Sequence, residues 1–187
     1  MASDILYTMI ITNNEEALRI KCEDATLEEV GPIISLLEQE LEHSAKLGRP
    51  GIGLAAIQCG VAKNVAIVRI DNLYKVNLVN CRIKEGYDKT LFKDEGCLSY
   101  PGRVEDTMRY QEIHVVDNLV EPHSFIAAGL MAVVVQHELN HGDGILLPDI
   151  ALAKPTISTA KYKLGPNDRC LCGKFDPPKK YKKCCGR

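Results

Sequence analysis

Residues 129–141, Gly-Leu-Met-Ala-Val-Val-Val-Gln-His-Glu-Leu-Asn-His, constrain this chain more than any other stretch. Leu130, Met131, Val133, Val134, Val135 and Leu139 cover more than one stripe. The segment therefore predicts a helix buried nearly all round, with Gly142 as its C-cap. Yet it also carries His137, Glu138 and His141. Positions i and i+4 of a helix share a face, so both imidazoles can reach one metal ion. Glu138 lies beside them, able to take a proton from a water on that ion. Burying two imidazoles and a carboxylate without a ligand or network is costly, and a metal resolves the conflict.

Two ligands are one short of the three that a catalytic ion needs besides its open position. The residues alone leave His43, His114, His123, an acid or a cysteine as the third. Cys97 stands in the polar stretch Glu95-Gly-Cys-Leu-Ser99, an odd setting for a core cysteine.

The rest of the chain reads as α+β. Leu27, Val30, Ile33, Ile34, Leu37 and Leu41 predict a helix over 27–41, with a capping box at Thr26 and Glu29. Gly31-Pro32 implies that this helix either kinks there or starts at Pro32. The glycines and Pro50 between 47 and 53 mark a loop. Strands are expected over 65–70, 74–80 and 112–117, with turn residues between them and no long helices, which favours antiparallel pairing. With 187 residues, 45% hydrophobic and 26% charged, one ordinary domain and a short appendage are expected. The longest apolar run, Phe125–Val135, is well short of the roughly 20 residues that span a bilayer. The first basic residue is Arg19, so no positive leader region precedes an apolar stretch. A soluble protein of a reducing compartment is the expectation.

Charge and cysteine are unevenly spread. Residues 161–187 hold 9 Lys+Arg and 2 Asp+Glu, a balance of +7; residues 1–160 hold 14 and 23, a balance of −9. Cys22, Cys59, Cys81 and Cys97 are scattered, while Cys170, Cys172, Cys184 and Cys185 crowd into the basic tail. Isolated cysteines are by default small buried hydrophobes. Four thiolates in a segment too short for a core point to structural zinc. The lysines around Tyr181 could contact RNA phosphates, or form a solvated face.

The chain resembles the peptide deformylases through three motifs in that family's order. Gly51-Ile-Gly-Leu-Ala-Ala-Ile-Gln58 matches GxGLAAxQ, Glu95–Ser99 matches EGCLS, and Gln136–His141 matches QHExDH, with Asn140 in place of the usual Asp. Cys81 stands where a Pro often follows the Val-Asn pair. The resemblance implies antiparallel sheets around a buried HExxH helix, a catalytic domain over 1–155, a linker over 156–165 and a tail over 166–187. It implies Cys97, His137 and His141 as metal ligands and Glu138 as general acid/base. Gln58 and the backbone N–H of Leu98 would hold the oxyanion. Ile52, Gly53 and Gly96 would bind an extended peptide, and Val133 and Val134 would line a methionine pocket. The implied reaction is removal of the formyl group from formyl-methionyl nascent peptides, by attack of metal-bound water with release of formate. Fe²⁺ is the implied ion, with Zn²⁺, Ni²⁺ or Co²⁺ as substitutes. The implied location is the cytoplasm, a reducing organelle or an infected-cell equivalent, with no membrane and no DNA as partner. The tail resembles the zinc-binding C-terminus of the SecA translocase motor, although Lys174-Phe-Asp-Pro-Pro178 lengthens its loop by three residues. Its basic charge suggests ribosome or rRNA contact. Two other readings compete: an HExxH metallopeptidase, and an inactive deformylase fold that presents the tail. Formate release from formyl-Met-Ala-Ser, with Met-Ala-Ser cleavage as control, separates the three.

Overall fold

The computed structural model describes residues 9–12, 14–71, 74–117 and 124–153, together with 166, 167, 180 and 183. The chain divides into two units, Met1–Leu152 and Ala153–Arg187, and every element named below lies in the first. His123, the linker expected over 156–165 and the four tail cysteines lie outside the described residues.

A one-turn helix α1 (Glu15–Leu18) precedes the long helix α2 (Leu27–Lys46). The Thr26 N–H donates to the Glu29 carboxylate at 2.8 Å, so the expected capping box starts α2 before Gly31-Pro32. The helix continues through Pro32. Gly31, Pro32 and Glu28 are all exposed, which lets water satisfy the Glu28 carbonyl that Pro32 cannot bond. Ile33, Leu37, Leu41 and Ser44 form the buried face at helical spacing. Glu40, which its charge would place outside, is also buried there; its carboxylate accepts the Met9 N–H at 2.9 Å.

Two three-stranded antiparallel sheets follow. The first is β1 (Gly53–Ala55), β2 (Val65–Arg69) and β3 (Lys75–Val79), in that order, with a 3₁₀ turn at Ala56–Cys59 after β1. The second is β4 (Arg82–Gly96), β5 (Val104–Val116) and β6 (Ser124–Ala128). Helix α3 (Leu130–Gly142) packs against β1 and β2 of the first sheet and β5 and β6 of the second. A short helix α4 (Leu147–Ile150) completes the unit.

Strand period decides which side chain meets which layer. Val65 and Ile67 of β2 pack with Ile33, Leu37 and Leu41 of α2, while Ala66 and Val68 pack with Ala132, Val134 and Val135 of α3. Both faces of β2 are therefore covered, and its sequence is apolar throughout rather than alternating. Ile113 and Val115 of β5 join the α3 core.

The structure adds two features to the sequence reading and corrects one expectation. Strands β1, β4 and β6 and the first half of β5 went unread. The 15-residue β4 is mostly exposed and rich in Lys, Asp and Glu, so pairing with β5 defines it, not burial. The apolar run Phe125–Val135 contains two elements, split at Gly129 with φ 58° and ψ −134°, a conformation essentially confined to glycine. Gly142 is not the C-cap but the last helical residue: a Cβ there would lie 2.7 Å from Asn64 Oδ1, and Gly144, at φ 71°, makes the turn.

Cys22, Cys59 and Cys81 are buried free thiols, as isolated cysteines should be. Burial pushes them up to about 11, 12 and 11 respectively. Beside Cys81, Asn80 at φ 53° exchanges two hydrogen bonds with the Ala25 backbone, at 2.7 and 3.0 Å.

Candidate active site

Three separate elements converge at one end of α3. That helix supplies His137, Glu138 and His141; the turn between β4 and β5 supplies Cys97; β1 and its 3₁₀ turn supply Gly53 and Gln58. The ligand atoms of Cys97, His137 and His141 all lie within 4.8 Å of one another. Among the described residues this is the one group of three or more His, Cys, Asp or Glu so arranged. His43 and His114, left open as third ligands by the residues alone, are not part of it.

The donor set fits a divalent cation. Cys97 Sγ and His141 Nε2 are 3.4 Å apart. Two such ligands on a tetrahedral ion, with bonds of about 2.3 and 2.0 Å, would be separated by about 3.5 Å. His137 Nδ1 faces Glu95 Oε1 at 2.6 Å, which puts its proton on Nδ1 and leaves Nε2 for coordination. Burial, then the positive neighbours His137 and Arg109, hold His141 well below the usual imidazole value, so it is a neutral donor. Burial works the same way on His137, but the Cys97 sulfur and the Glu95 carboxylate outweigh it and raise that group. The cluster thus attracts positive charge between its donors.

Glu95 was singled out only as the first letter of a motif, and its partners were missed. Its Oε1 accepts from Arg109 Nη2 at 2.5 Å as well as from His137, and its Oε2 accepts from Arg109 Nε at 2.9 Å and Thr107 Oγ1 at 2.6 Å. Burial alone would raise this carboxyl; Arg109 and His137 instead lower it to about 2. Asn140, in place of the usual Asp, accepts from Arg109 Nη1 at 2.7 Å. Arg109 therefore has one carboxylate rather than two to neutralise. The alternation of Glu105, Thr107 and Arg109 on the inward face of β5 was the available signal, obscured because the inward residues are polar.

Glu138 is buried, and its Oε2 has no hydrogen-bond partner among the described residues. Burial pushes its carboxyl up to about 7. Gly53 faces it: a Cβ at that position would sit 2.3 Å from Glu138 Oε1. An orphaned, proton-avid carboxylate beside the cation-attracting cluster is the arrangement that proton transfer requires. Gln58, buried, accepts the Ala55 N–H through Oε1 at 2.9 Å and donates through Nε2 to Ser99 Oγ at 3.0 Å, with Cys97 Sγ at 3.6 Å.

Gly53, Gln58, Cys97, His137 and Glu138 line a cleft of 620 Å³ together with Ile52, Gly96, Leu98, Val133 and Val134, while His141 lies buried behind it. Apart from His141, the residues proposed from sequence for this site thus surround one space. Leu98 ties its walls: a Cβ on Gly51 would lie 2.6 Å from Leu98 Cδ1. The Ile52 carbonyl is turned to the sheet and accepts the Arg69 N–H at 2.7 Å. A larger cavity of 880 Å³ reaches Cys22, Cys81 and Asn140 and shares one lining residue, Glu138, with the cleft. It contains neither Cys97 nor the histidines, so size does not identify the chemistry here.

Residues 7–155 match the family model described as "Polypeptide deformylase". Peptide deformylase 1 of Pseudomonas syringae is 38% identical over 104 residues, 54% of this chain and 62% of that relative. The chain thus spans somewhat less than two thirds of that relative's length. The peptide deformylase of Picosynechococcus is 34% identical over 138 residues, 67% of this chain and 74% of the relative. Among solved structures, a Synechococcus elongatus peptide deformylase in complex with actinonin superposes with a TM-score of 0.68 at 28% identity, covering 82% of each chain. A Met-Ala-Ser-bound class I type b peptide deformylase from Acinetobacter baumannii gives 0.63 at 28% identity, covering 75% of this chain and 96% of the other.

Proposed function

Because the chain belongs to the polypeptide deformylase family, we propose that it removes the N-formyl group from the N-terminal formyl-methionine of nascent polypeptides and releases formate. The observation that carries this reading is the Cys97, His137 and His141 cluster with the unpartnered Glu138 carboxylate beside it. Cys97, His137 and His141 would hold one divalent cation. Its chemistry there would be that of a Lewis acid, which brings the pKa of a water toward about 7 and polarises a carbonyl. Thiolate and imidazole ligands suit Fe²⁺ and Zn²⁺ alike. Iron is the ion proposed, with zinc, nickel or cobalt able to replace it.

The chain's own groups do the rest. Glu138 accepts the proton of the attacking water and passes it to the departing amine nitrogen. Gln58 Nε2 and the Leu98 N–H donate to the carbonyl oxygen as it gains charge, and losing one such donor typically costs about 10²–10³ in rate. Ile52, Gly53 and Gly96 offer backbone groups to an extended peptide, and Val133 and Val134 meet the methionine side chain. The tail over 166–187 is proposed to hold a structural Zn²⁺ on Cys170, Cys172, Cys184 and Cys185 and to contact ribosomal RNA. No helix among the described residues is long and apolar enough to cross a membrane, and a reducing cytoplasm is the proposed location.

The test is formate release from formyl-Met-Ala-Ser by the iron- or zinc-loaded protein, with unblocked Met-Ala-Ser as control. Formate with an intact tripeptide is expected. Cleavage of the tripeptide would mean a metallopeptidase, and no reaction with a fully loaded site would mean a binding role.

A further inference from the structure

We infer that Arg49 is a specificity-determining residue, favouring formyl-peptides with an acidic side chain a few residues after the methionine. The inference rests on the deformylase reading and extends it to the substrate's downstream residues.

The free edge of β1 is open in one direction only. Toward Ala55 it is closed: Leu54 and Ala55 are buried, and the Ala55 N–H is taken by Gln58. In the other direction lie Ile52, Gly51, Pro50 and Arg49, all lining the same cleft, with Ile52 and Pro50 exposed. An extended peptide whose reacting end lies at Gly53 and Glu138, and which follows this edge, must leave toward Arg49. Arg49 lies four positions before Gly53, at most about 13 Å away at roughly 3.3 Å per residue, with a bend at Ile52 between them. The guanidinium therefore meets the third or fourth residue of the peptide.

Arg49 is presented there by a rigid backbone. Its N–H donates to the Ser44 carbonyl at 2.9 Å, its own carbonyl accepts from Ser44 Oγ at 2.7 Å, and Ser44 is fully buried at the end of α2. Among the described residues, the Arg49 guanidinium makes no hydrogen bond or ion pair. The other charges of the lining are different. Glu95 is committed to Arg109, Thr107 and His137. Arg103 donates through Nε to Glu105 at 2.7 Å and lies over the Tyr100 ring at 5.7 Å, so it carries a countercharge with it. Glu138 is at the reacting end, and Asp94, on β4, is the one exposed acid. Arg49 is the cation without a partner on the path the peptide takes, and a carboxylate is the partner it lacks.

The test compares formyl-Met-Ala-Xaa-Ser with Xaa as Glu, Gln or Lys, and formyl-Met-Ala-Ala-Xaa with the same three, at low and high salt. An exposed pair of this kind changes affinity about two- to five-fold. The Glu peptides should show a KM lower than the Lys peptides by that factor, with kcat unchanged, and the difference should collapse in about 0.5 M salt. Within each variant the Glu/Lys ratio is the readout. Arg49→Gln should bring it near one and Arg49→Glu should invert it, whereas Asp94→Asn should increase it. A wild-type ratio near one, or a ratio unmoved by Arg49→Gln, overturns the inference while the deformylase reading stands. No formate from any formyl-peptide, the Gln peptides included, overturns both.

Discussion

Gly53 and Glu138 show how single residues set the chemistry. Only a hydrogen fits between the Gly53 backbone and the Glu138 carboxylate, since a Cβ would come within 2.3 Å of Oε1. The other oxygen, Oε2, has no hydrogen-bond partner among the described residues. The proposed role of Glu138 is therefore separable from coordination. Glu138→Gln should keep one cation per active site, measured by metal analysis, while deformylation falls by about 10²–10⁴; normal turnover at full occupancy would refute the assignment. The buried thiols make a second prediction at this scale. Burial raises Cys59 from 9.0 to about 12, so in that range the unfolded chain binds fewer protons than the folded one. Its contribution is complete below pH 9.0 and is lost as pH rises through about 12. Thermal unfolding between pH 8 and 11 should show Tm falling less steeply in Cys59→Ala than in the wild type.

At the scale of elements, the junction between β6 and α3 is the sharpest constraint. Gly129 at φ 58° and ψ −134° lets an extended strand turn directly into the helix that carries both histidines. Gly129→Ala should cost about 1–3 kcal/mol of stability, read in Tm or denaturant midpoint. This junction also shows what could be read from the sequence. The helix over 129–141 was legible because its apolar residues exceed a stripe and its histidines are four apart. Strands β2 and β3 were legible from their β-branched residues. β6 was not, because Ser-Phe-Ile-Ala-Ala merges with the apolar helix after it and only a backbone angle separates them. β4 was not, because its charged residues give no periodic burial. The ligands were named from motifs, but the Glu95, Arg109 and Thr107 network was not: its members are 12 and 14 residues apart and meet only when β4 pairs with β5.

At the scale of the whole molecule, the basic tail and the acidic body make separable predictions. Deleting residues 164–187 should remove one zinc equivalent and leave activity on a short formyl-peptide largely intact, since no catalytic motif lies there. Four thiolates on Zn²⁺ carry −2, so the tail would keep +5 of its +7. The same deletion should weaken ribosome co-sedimentation, and that of the full chain should fall steeply with salt. Unchanged zinc content removes the structural site; unchanged co-sedimentation removes the proposed partner. A last consequence lies in where the proposed metal ligands come from. Cys97 belongs to the turn of the second sheet, His137 and His141 to the helix laid between the sheets. An ion gripping all three would be a rivet through two layers that are also joined by side-chain packing, the Glu95 bonds, and the hydrogen bonds of Asn140 to Arg109 and Gln136 to Tyr110. At about a thousand times its dissociation constant it would add about 4 kcal/mol, roughly ten degrees of Tm. Chelation should therefore do more than stop the proposed deformylation: it should lower the Tm relative to the loaded protein, and re-adding the ion should restore it.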